Sequence, residues 1–106
     1  MQALSDVLLD VRRKRFEIDQ SSVILTEDER RQLAREYDVA RDAYYKGVAD
    51  MIDAFEPGAA ALLDNIASAR QELQALQVSQ ANAEKVLAAI SAVVGLAAKM
   101  VVLGAL

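Results

Sequence analysis

The chain has 106 residues, enough for one domain with a modest core and too few for two ordinary domains. Apolar residues make up 54 % and 20 residues are Ala, whereas aromatics reach 5 % and Pro occurs once, a helix-forming composition that argues against a sheet protein. With no Cys and no His, disulfides, thiolate or imidazole metal sites and Ser-His or Cys-His nucleophiles are excluded, and a net charge of −4 gives no broad basic face for nucleic acid.

The first predicted element is a helix over residues 3–20, with Leu4, Leu8, Val11 and Ile18 at three-and-four spacing and Arg15 breaking the apolar stripe. Its basic run, Arg12 to Arg15, could meet anionic headgroups or phosphate. The spacing of Asp10 with Lys14, Arg13 with Glu17 and Arg15 with Asp19, four apart in each case, favours a solvated, salt-bridged face instead. Ahead of it, Met1 to Asp6 lacks a basic region followed by an apolar stretch, so the expectation is cytoplasmic synthesis without a secretory signal, compatible with later export or membrane association.

Ser21 and Ser22 interrupt the pattern, and Thr26-Glu27-Asp28-Glu29 matches the capping box, in which a threonine oxygen and a glutamate satisfy reciprocal backbone amides. A middle helix is predicted over 26–55, with Tyr37, Tyr44 and Met51 alternating with Ala40, Gly47 and Ala54. Pro57-Gly58 is then read as a hairpin turn, because proline suits the first turn of a helix and glycine a reversal.

From there a four-three apolar alternation continues from Leu62 to Gly104, which predicts one long helix over 57–104. The resulting architecture is all-α in a single domain, 1–106: a short N-terminal helix and an antiparallel helical hairpin, closed by Tyr37 and Tyr44 against Leu73 and Leu76. Gln80 falls in the core register, where a buried amide would select one alignment; the competing reading leaves it facing solvent.

The apolar end, residues 86–106, has Lys99 as its one charge and is long enough as a helix to cross a bilayer. Unbroken heptad phase favours burial by protein, and a single short chain is expected to need other molecules to cover so wide an apolar face. Leu87, Ile90, Val94, Ala97 and Val101 are the candidate assembly or membrane interface. No catalytic residue, cofactor-binding residue or metal ligand set can be picked out, since the carboxylates are scattered along helix surfaces. The expected function is therefore non-enzymatic: a self-assembling helical protein, expected as a homo-oligomer, whose apolar C-terminal helix is buried in a homo-oligomer, filament or membrane as a component of a secretion, phage or pore-like assembly. The alternative is a soluble adaptor that lays its C-terminal stripe into one protein partner, and no nucleic acid is expected.

Overall fold

The computed structural model describes residues 2–49 and 59–105, and all of its regular structure is helical. Four helices form: α1 (Gln2–Gln20), α2 (Glu27–Ala49), α3 (Ala59–Ala75) and α4 (Ala83–Ala105). The capping box is made as its residues imply. Thr26 N–H donates to Glu29 Oε1 at 2.9 Å and Glu29 N–H donates to Thr26 Oγ1 at 3.1 Å, so α2 starts where two of its orphan amides are satisfied. Residues 50–55 of the expected middle helix, and the expected turn at Pro57 and Gly58, lie outside the described residues.

The single helix expected over 57–104 is corrected to two. Residues 76–82 form a turn held by their own polar groups: Asn82 N–H donates to Ser79 Oγ at 3.2 Å and to the Ser79 carbonyl at 3.1 Å, and Asn82 Nδ2 donates to the Gln77 carbonyl at 3.1 Å. Serine and asparagine side chains compete with helical hydrogen bonds in this way. Folding back also buries the apolar face that a continuous rod would leave wet.

Gln80 lies in this turn, exposed and outside the core. It accepts from Ile24 N–H at 2.8 Å through Oε1 and donates to the Ile24 carbonyl at 3.1 Å through Nε2. The α1–α2 and α3–α4 connections therefore sit at the same end of the molecule. It follows that α1 and α3 run parallel, and that α2 and α4 run parallel in the opposite direction.

Around the bundle the helices are ordered α1, α2, α4, α3. Helix α4 touches all three others, whereas α2 and α3 do not touch among the described residues. The expected antiparallel seam between the middle and C-terminal helices is thereby corrected. Leu73 is buried and Tyr37, Tyr44 and Leu76 are half-buried, so all four pack on one core, but α2 and α3 bring them from opposite corners. The reason is the break at 76–82: it frees α4 to turn back and take the place beside α2.

Side chains spaced three, four or seven apart, on one face of each helix, supply the core: Leu4, Val7, Val11 and Ile18 from α1, Leu33, Ala40 and Ala43 from α2, and Ile66 and Leu73 from α3. Helix α4 contributes the most, with Val86, Leu87, Ile90, Val93, Val94, Ala97 and Met100 all buried. Truncating Ile90 to Ala should cost about 2–5 kcal/mol in urea unfolding, as expected for a fully enclosed side chain. Lys85→Ala, at an exposed position of the same helix, should stay within about 0.5 kcal/mol.

Candidate functional site

Of the five residues expected at an interface, Leu87, Ile90, Val94 and Ala97 are buried inside the chain itself and Val101 is half-buried. The chain shelters part of this stretch by itself, because α1, α2 and α3 together enclose the inner side of α4. Ala83–Leu103 remains long and apolar enough to cross a membrane by length and composition, yet 39 % of that window is already covered within the molecule.

What α4 turns outward is a narrower stripe: Ala88, Ala92, Gly95, Lys99 and Val102 are exposed, again at alternating four and three spacing. A Cβ added at Gly95 would meet nothing within 4 Å, so packing inside the chain places no demand for glycine there. Beside this stripe, α2 and α4 form a groove lined by Val39, Asp42, Ala43, Lys46, Ala98, Val101 and Val102. Val39 and Val102 stand over it at 42 % and 62 % exposure, two large apolar side chains facing solvent at one place.

A second constellation joins α1 to α3. Asp10, only 2 % exposed, accepts from Arg70 Nε at 2.6 Å and from Gln74 Nε2 at 3.1 Å, and Asp6 lies 3.4 Å from Arg70 Nη1. Lys14 is buried as well; its Nζ donates to the Leu76 carbonyl at 2.6 Å and to Glu17 at 3.1 Å. No buried side-chain polar atom is left without a partner among the described residues. The face expected on α1 is exposed at Arg12, Arg13, Arg15, Glu17 and Asp19, but its expected pairing is corrected: Asp10 and Lys14 are buried and reach Arg70, Gln74 and the Leu76 carbonyl, and Arg13–Glu17 and Arg15–Asp19 make no ion pair among the described residues.

The pKa of Arg70 is raised, chiefly by its hydrogen bond to Asp10, with burial acting the other way and the charges of Asp10 and Asp6 adding to the rise. A raised pKa on a base contributes stability at every pH below its unfolded value, so this contribution is lost only in strong alkali. Asp6, Asp10, Lys14 and Glu17 follow one another at helical spacing beside the apolar stripe, and that register was the available signal for the seam. Its partners Arg70 and Gln74 lie sixty or more residues away, beyond any local pattern.

No group of three or more Asp, Glu, His or Cys side chains could hold a metal ion among the described residues. The acids and bases of the seam are committed to one another, which suits alignment of helices and not proton transfer. No family model, curated protein or solved structure matches the chain.

Arg70→Met leaves Asp10 enclosed with only Gln74 as partner and should destabilise by roughly 2–3 kcal/mol, below the full cost for a deeply buried pair because Arg70 is itself partly solvated. Adding Asp10→Leu to that variant should recover most of the loss. Chemical denaturation of the two single variants and the double variant measures the coupling.

Proposed function

We propose that the chain is a non-enzymatic helical module that assembles with copies of itself through the α2–α4 groove and the adjoining outward stripe of α4. The observation that carries this reading is the pairing of Val39 and Val102 over one groove floored by Ala43, Ala98 and Val101. Large apolar side chains exposed together, with charges at the margin, have the make-up of an interface core and rim.

A second copy is the occupant that the charges favour. In a two-fold contact the same patch serves both partners, so a residue that meets another is met by it in return. Asp42 and Lys46 lie one turn apart on the groove's rim. In such a contact Asp42 of each copy faces Lys46 of the other, giving two ion pairs around the valines. Ala88, Ala92 and Gly95 leave room beside them for a helix to approach closely.

Membrane insertion is the weaker reading. To cross a bilayer α4 would have to withdraw Ile90, Val93, Val94 and Met100 from the core, and would leave Leu4, Val7, Val11 and Leu73 exposed to water. A module of this kind suits a repeated-subunit structure, such as a secretion, phage or pore-like assembly.

Light scattering coupled to size-exclusion chromatography tests the proposal. The unaltered chain should form dimers or larger particles without detergent. Val102→Glu with Val39→Glu should weaken self-association at least about tenfold, a change of about 1.4 kcal/mol, with helix content kept. A monomer at all concentrations that does not float with lipid vesicles would sink self-assembly and transfer the groove to a different protein partner.

A further inference from the structure

At the corner where α1 gives way to α2 the molecule has a cavity of about 460 Å³, within the size range of small-ligand sites. Its lining is mixed: Ile18, Leu25 and Leu33, largely covered, form an apolar floor, Val23 and Ile24 add accessible hydrocarbon, and Arg15, Asp19, Ser21 and Arg30 supply the polar part. The segment through Val23 and Ile24 forms a wall, held by Val23 N–H donating to Ser21 Oγ at 3.1 Å and by the two bonds between Ile24 and Gln80. The site is thus walled by two helices and by a connection whose backbone is pinned at two points.

Two guanidinium groups, Arg15 and Arg30, line the same cavity. Neither has a carboxylate within 4 Å among the described residues. Arg15 lies instead 5.0 Å from the centre of the Tyr37 ring, a stacking that restrains the guanidinium without neutralising it. Asp19 lines the cavity too. Two cations and one anion leave a single positive charge above an apolar floor.

We propose that this cavity binds an amphipathic monoanion, a carboxylate on a short apolar chain, with Arg15 and Arg30 holding the carboxylate and Ile18, Val23 and Leu33 receiving the chain. The guanidinium fork matches a carboxylate through paired N–H donors. A dianion such as a phosphate monoester would give up more hydration on entering and would keep one charge uncompensated beside Asp19, so the site favours a monoanion. The apolar floor selects against a bare inorganic anion, which would give up its hydration and have no hydrocarbon of its own to bury there.

The full-length chain, titrated with octanoate, octanol and inorganic phosphate and followed by amide NMR, tests this. Octanoate should give saturable shifts centred on residues 21–25 and bind at least about tenfold more tightly than either control, the worth of one charge-assisted contact. Arg30→Gln, at an exposed position, should weaken octanoate about tenfold with helix content unchanged, and Arg15→Gln should do the same. Should Arg15→Gln unfold the chain through loss of the Tyr37 stack, Arg30→Gln decides the matter alone. Equal affinity for octanol or phosphate, shifts spread along α4, no saturation, or an Arg30→Gln variant that binds octanoate normally would each overturn the proposal.

Discussion

Covering α4 is the constraint on which the rest of the structure depends. Val86, Leu87, Ile90, Val93, Val94, Ala97 and Met100 occupy an arc of the helix too wide for one neighbouring helix to shield, and three helices share the task. That requirement accounts for the turn at residues 76–82, for the contact of α4 with every other helix, and for the placement of α2 and α3 at opposite corners. It also limits what the molecule can offer outside. Once the inner side is enclosed, what α4 leaves outside is the small-residue stripe through Ala92 and Gly95 and its side of the groove under Val39 and Val102.

Hydrophobic burial alone leaves the relative alignment of the helices loosely specified, since apolar contacts have no direction. The α1–α3 seam supplies direction. Arg70 reaches both Asp6 and Asp10 on successive turns of α1, Gln74 reaches Asp10, and Lys14 reaches the Leu76 carbonyl just past the end of α3. Sliding α1 along α3 would pull the enclosed Asp10 away from Arg70 and Gln74 and the Lys14 ammonium from the Leu76 carbonyl, at a cost above that of a shifted leucine. Polar groups here choose among packings that apolar contacts would accept almost equally.

Much of the local structure was legible in the sequence. Composition set the class, the reciprocal Thr26–Glu29 pair marked the start of α2, and the weight of apolar residues after Val86 marked the segment that must be hidden. What could not be read was how that segment is hidden. The heptad phase runs unbroken through Gln80 although the helix does not, because periodicity records which face is apolar and is silent on whether the backbone turns back. Ser79 and Asn82 were the local sign of the reversal, and their side chains do cap and close it. For the interface, the same periodicity marked Leu87, Ile90, Val94 and Ala97, the residues most in need of burial, and these are the ones the chain covers by itself. The outward residues are weakly apolar, so they left little trace in the pattern.

The bond pair between Gln80 and Ile24 bears on how the molecule avoids associating in the wrong way. Val23-Ile24-Leu25 lies outside the helices, is rich in branched side chains, and presents Ile24 at 79 % exposure. A short greasy segment with a vacant amide and carbonyl is a template onto which another extended chain can zip. The carboxamide of Gln80 fills both positions at Ile24, standing in for a neighbouring strand and denying that edge to strangers.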